Sequence, residues 1–262
     1  MHKISIEQGL RALQGFILAE WRLALPVALA FLALPPFVLG LIVAPMMRAV
    51  PATFEGMRAL GLAMPGWVMP LMLLGGLVTI IGAMALQALV LLPRISVGEA
   101  ILTALKRLPA WLGALVIVFG ALFVLLIVLG LLLGAMAGGA SLLVIVTFFG
   151  MVLAGLCVVL VMPIVIDRQF GPIAALRAAL AFYGRQLPRL VSGLILFLAG
   201  AWVVAMAIQV ALGSVLLLLA RLSGQIELGQ TLVALLGALV SSLEWGAFYL
   251  LVACFYRQRA RG

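Results

Sequence analysis

The sequence predicts an all-α membrane protein with six transmembrane helices. Three observations carry that reading. First, 67% of the 262 residues are hydrophobic and only 9% are charged, against roughly a quarter charged in soluble domains. Second, the apolar runs continue for 20 residues and more, enough to cross a hydrocarbon core about 30 Å thick at 1.5 Å per residue. Third, the basic residues gather in alternate loops. The 16 basic and 7 acidic residues cannot coat a soluble surface, and a chain this apolar is not disordered. Two cysteines do not make a disulfide scaffold. Barrel strands alternate apolar and polar over about ten residues, a pattern these continuous runs lack.

The elements follow in chain order within a single transmembrane domain, 1–262. Ser5 is placed to cap a short first helix, with Glu7 early in it, where a carboxylate favours the helix dipole. Charges at Glu7, Arg11, Glu20 and Arg22 precede the first apolar run, which also outlasts a signal-peptide core, so 23–47 reads as a span. Pro35-Pro36 at its middle predicts a kink. The segment 48–66 is short enough to be a small outer helix. Span two covers 67–92. Ser96 and Glu99 then open a second amphipathic helix, with Val97, Ile101, Leu105 and Leu108 on one face. Span three, 110–137, carries Gly130, Gly134 and Gly138 in a small-x-x-x-small stripe suited to close helix packing. Span four covers 140–165. Pro172 suits the first turn of a third amphipathic helix, whose apolar stripe reads Ile173, Leu176 and Leu180. Spans five and six cover 191–219 and 230–256.

Charge decides orientation. With the amino terminus cytoplasmic, 13 of the 16 basic residues lie inside: Lys3, Arg11 and Arg22, then Arg94, Lys106 and Arg107, then Arg168, Arg177, Arg185 and Arg189, then Arg257, Arg259 and Arg261. Only Arg48, Arg58 and Arg221 lie outside. This positive-inside bias predicts an even number of spans and both termini in the cytoplasm. The high pI is thereby explained as topology, and no nucleic-acid partner is needed. Trp21, Trp67, Trp111, Tyr183 and Tyr256 fall near the span ends, where amphipathic rings settle.

The three amphipathic segments each lead into a helical hairpin. The unit of interfacial helix, span and span therefore repeats three times, over about 1–92, 93–166 and 167–262, and predicts pseudo-threefold packing. A short basic amphipathic helix beside a span lies in the membrane interface.

The stretch Pro163-Ile164-Val165-Ile166-Asp167, then Gly171-Pro172, Ala175-Leu176-Arg177 and Arg185 to Leu190, resembles the membrane-domain family of glycerophosphoryl diester phosphodiesterases and the related YciC-like inner-membrane proteins. The ending Phe255-Tyr256-Arg257-Gln258-Arg259 resembles that family's exit from its last span. The resemblance covers most of the chain in layout and about 30 residues in motif. It implies six spans with interfacial helices in a bacterial cytoplasmic (inner) membrane. Three positions depart from the pattern: Ala179 stands for the usual serine, Leu180 for an aromatic residue and Gln258 for an acidic one. The resemblance brings no activity to this chain, because a catalytic barrel takes about 250 further residues.

Chemistry is sparse. The single histidine is His2, so no histidine triad or multi-histidine metal site forms, and Cys157 and Cys254 have no C-x-x-C spacing. Neither a metal, a cofactor nor an enzymatic activity is expected. Polar residues inside spans are the better candidates, because they are costly in hydrocarbon. Glu244 lies near the centre of span six, with Gln87 and Gln209 as possible partners. It reads either as a protonated group that helps hold the bundle together or as a proton- or cation-coupled site. The basic inner residues Arg94, Lys106, Arg107, Arg168, Arg177, Arg185 and Arg189 form the second candidate, a surface for lipid headgroups or other anions. Their bland reading is topology alone. The leading expectation is a non-enzymatic protein that binds or organises anionic lipid, or a membrane-protein partner, through this face. The alternatives are a small transporter using Glu244 and the kinked first span, and an accessory subunit of an envelope complex.

Overall fold

The computed structural model describes residues 5–48, 65–92, 94–133 and 139–260. Lys3, Arg58, Arg261, the outer segment 49–64, Gly134 and Gly138 lie outside the described residues, as does the side chain of Arg185. The described residues are helical almost throughout. The helices are α1 (Ile6–Val27), a π-helical stretch (Ala28–Ala33), α2 (Leu34–Arg48), α3 (Val68–Leu91), α4 (Val97–Leu133), α5 (Gly139–Arg168), α6 (Pro172–Tyr183), α7 (Leu187–Leu222) and α8 (Ile226–Ala260). Six helical stretches are long and apolar enough to cross a membrane, and their limits contain or closely match the six predicted runs.

The π-helical stretch is the form the predicted proline kink takes. Pro35 and Pro36 lack the N–H of an α-helix and crowd the carbonyls four residues before them. The turn ahead of them widens, and Leu34 N–H bonds to Leu29 O, five residues back. Neighbouring helices close tightly on this wide turn. A Cβ at Gly82 of α3 would lie within bonding-like distance of Phe31 Cβ, so only glycine fits there. Gly246 of α8 faces Ala28 and Leu32.

Two of the three short amphipathic helices are not separate elements. Ser5 and Ser96 do cap. Ser5 Oγ accepts from Gln8 N–H, and Ser96 and Glu99 form a reciprocal capping box, with Ser96 N–H donating to Glu99 Oε2 at 2.7 Å and Glu99 N–H donating to Ser96 Oγ at 3.2 Å. Each helix then runs on into its span. Residues 6–27 are one helix with a break in φ/ψ at Glu20. Residues 97–133 are one 37-residue helix through Pro109, roughly 55 Å long and therefore longer than a bilayer core. Only α6 stands alone, ended by the 3₁₀ turn Gly184–Gln186.

The inward faces also differ from the expected stripes. In α6, Ala175, Ala179 and Tyr183 are buried, whereas Ile173 and Leu180 are 57% and 70% exposed. In α4, Ala100, Ala104, Trp111 and Ala114 are buried, while Leu105 is exposed. Against lipid, a large apolar side chain gains little by turning inward, and small residues let backbones approach. Aromatic placement shifts likewise. Trp21 and Trp67 are exposed, but Trp111, Tyr183 and Tyr256 are buried inside the protein. Trp111 Nε1 donates to Val158 O at 3.1 Å and locks α4 to α5.

The core centres on α3 and α8, which pack on each other and on the first helical stretch and α5. Gly82 to Ala88 of α3 and Leu250 to Tyr256 of α8 are buried on every side. Helix α7 packs chiefly on α8, and α4 pairs with α5. Contacts such as Gly9 with Phe255 and Gly193 with Ile6 gather the start of α1, the end of α8 and the start of α7 at one end of the bundle, and Gly113, 16 residues into α4, meets Pro172 at the start of α6. The basic residues of those elements make this the basic end.

Candidate functional site

At the basic end α5 finishes in Asp167 and Arg168. Gln169 takes a left-handed φ of 55°, and the chain turns into α6 through Gly171 and Pro172. Helix α6 lies against α4 so closely that a Cβ on Gly113 would sit 2.8 Å from Pro172 Cγ. This seat delivers Phe182 and Tyr183 to the end of α8. Tyr256 and Arg259, three residues apart, project from one face of that helix.

The result is an aromatic cluster edged by charge. The Phe182 ring centroid lies 4.9 Å from that of Tyr183 and 5.0 Å from that of Tyr256. Arg259 Cζ lies 4.8 Å from the Phe182 centroid and Arg168 Cζ 5.9 Å from it, both within cation–π range. Tyr256 Oη donates to Asp167 Oδ2 at 2.6 Å. Among the described residues, the buried Tyr183 hydroxyl and Arg259 Nη1 have no acceptor, and both amide atoms of the neighbouring Gln258 are also unpaired. Burial pushes the Tyr183 phenol above its ordinary range, with the neighbouring Tyr256 adding to that and Arg259 opposing it, so Tyr183 keeps its proton.

Tyr183 also lines an apolar groove of about 330 Å³ between α4, α5, α6 and the start of α7. Its walls include Val118, Ala121, Cys157, Val161, Leu176 and Leu180. A second lateral groove, of about 450 Å³, runs between α7 and α8. Glu244 is the single charged residue among its lining side chains, which are otherwise apolar, such as Phe197, Val204 and Leu243. A third cavity, of about 250 Å³, is lined by Glu20, Arg94 and Arg257 together with apolar residues of α1 and α3. Arg257 Nη1 there donates to Val90 O at 3.4 Å.

The expected site residues separate. Arg94 is exposed, has a left-handed φ of 60° and joins Arg257 at the third cavity. Arg168 joins the aromatic cluster. Lys106, Arg177 and Arg189 are exposed and Arg107 is half-buried. Glu244 makes no hydrogen bond to either expected partner. Gln87 is fully buried in α3 with neither amide atom bonded, and Gln209 lies across from Gly237 on the face that α7 turns to α8. Among the described residues, no group of three or more His, Cys, Asp or Glu side chains gathers to hold a metal. Sequence reasoning missed Phe182, Tyr183, Tyr256 and Arg259 as a group. The Tyr-x-x-Arg spacing at the end of a helix was the one local signal.

Compared with known proteins, the chain matches no family model, no curated protein and no solved structure. Six apolar helices make it a multi-pass membrane protein by length and composition.

Proposed function

We propose that this chain is a non-enzymatic membrane protein that binds anionic lipid at its basic end, with an acyl chain held in a lateral groove. The observation that carries the reading is the apolar groove walled by α4, α5 and α6, whose lining residue Tyr183 also packs on the Phe182 ring that Arg259 covers. An amphiphile has that same division between apolar tail and charged head. The resemblance to the YciC-like proteins supports a bacterial inner-membrane setting with the basic end cytoplasmic, as does the positive-inside bias.

The transport alternative calls for a polar path to Glu244. The groove at Glu244 is apolar and lateral, and no polar partner joins the carboxylate there, which favours the lipid reading.

The test is native mass spectrometry of the full chain extracted with its lipids. Retention of anionic phospholipid above its share of the membrane is the expected result. Retention in proportion to bulk composition overturns the reading.

A further inference from the structure

We infer that Arg259 and Tyr183 form the seat of a phosphate group, and that the exposed basic residues of the same end do not. The inference rests on the reading of the chain as a lipid binder and gives that binding an address.

Three features converge on one place. The Arg259 Nη1 and Tyr183 hydroxyl are both buried hydrogen-bond donors with no acceptor. A buried donor left unsatisfied is costly, and these two belong to side chains that both pack on the Phe182 ring; an acceptor with several oxygens would serve both. Charge asks for the same thing. Arg168 and Arg259 both flank the Phe182 ring, while the carboxylate beside them, Asp167, already accepts from Tyr256. One positive charge is left over, and a guanidinium meets phosphate oxygens through parallel hydrogen bonds.

The third feature is the groove. Tyr183 belongs both to the charged cluster and to the apolar lining. On α4 the groove lining runs from Ile117 to Ala121, about 6 Å of helix. A phosphate on Arg259 and Tyr183 would therefore carry its alkyl chain into an apolar slot. Lys106, Arg177 and Arg189 are exposed and are not among the side chains that line this groove.

The experiment measures binding of dioctanoyl phosphatidylglycerol, dioctanoylglycerol and inorganic phosphate to the purified full chain and to R259Q, R259K, Y183F and an R177Q/R189Q double variant. The seat predicts that R259Q weakens phosphatidylglycerol binding about tenfold or more and Y183F about three- to tenfold. R259K restores part of the loss, and R177Q/R189Q stays near the wild type. Dioctanoylglycerol, which has no phosphate, binds wild type and R259Q alike. Y183F keeps the ring in place and carries the test if R259Q fails to fold. Inorganic phosphate bound with the same dependence on Arg259, without phosphatidylglycerol, supports the seat, assigns it to the free ion and removes the lipid reading. Wild-type binding of phosphatidylglycerol that R177Q/R189Q abolishes and R259Q and Y183F leave intact overturns the seat and leaves the lipid reading standing. No binding of any probe overturns both.

Discussion

Tyr256 donates a 2.6 Å hydrogen bond to Asp167 across 89 residues of chain, tying the end of α8 to the end of α5. Both residues belong to the two segments that carry the family resemblance, and the fold brings those segments together. The bond has a charged acceptor but an exposed one, since Asp167 sits at the surface. Tyr256→Phe should therefore cost about 1 kcal/mol, read as a lower unfolding temperature in detergent. Asp167→Asn, which keeps an acceptor, should cost less.

Gly82 and Gly76 lie on the same helix and should respond in opposite senses. A Cβ at Gly82 collides with Phe31 near its backbone, whereas nothing lies within 4 Å of one at Gly76. Gly82→Ala should destabilise by about 1–3 kcal/mol. Gly76→Ala should stabilise by up to about 1 kcal/mol through helix propensity. Paired thermal melts of the two variants check this.

Gln87 is fully buried with both amide atoms unbonded. Gln87→Met fills a similar volume without the desolvation cost and should raise stability by about 1–3 kcal/mol. A fall in stability would mean that the amide is satisfied by a bound water or ligand.

Glu244→Gln should leave folding and phospholipid retention unchanged, because no group in the groove between α7 and α8 pairs with the carboxylate. Native mass spectrometry of the variant beside the wild type measures this. Loss of retained lipid would move the site to that groove.

The Ser96–Glu99 box should loosen in acid. Glu99 precedes the stretch expected in the bilayer, and its carboxyl lies below its ordinary value because Ser96 N–H and then Ser96 Oγ donate to it. A carboxylate with a depressed folded value stabilises above its ordinary value of 4.5. That contribution is lost as pH falls through the lower folded value. Amide exchange in the first turn of α4 should quicken over that window, and Ser96→Ala should remove the pH dependence.

The six runs, the caps at Ser5 and Ser96 and the disturbance at Pro35-Pro36 were legible in the sequence, because length, local hydrogen bonding and proline chemistry are local properties. The inward faces were not. Ile173 and Leu180 look like a core stripe on any hydropathy scale, yet Ala175 and Ala179 turn inward, since lipid is as apolar as a protein core. The division between the second amphipathic helix and span three is not in the structure either, because α4 runs through Pro109 without ending. The cluster of Tyr183 and Arg259 joins residues far apart in sequence and left only a short spacing as a trace. The seven basic residues were read as one face because charge shows which side of the membrane a residue occupies but not its neighbours.

The end of α8 that is buried on every side has a consequence for biosynthesis. Phe255 and Tyr256 follow every other described helix out of the ribosome, about 170 residues after the part of α3 they share a core with. At roughly 5–20 residues per second, that part of α3 waits on the order of ten seconds or more for its partner. During that interval the Gln87 amide and the small residues of α3 face lipid or the insertion machinery. The core of the described residues can close only after translation has passed Tyr256, so α8 is the element that completes it.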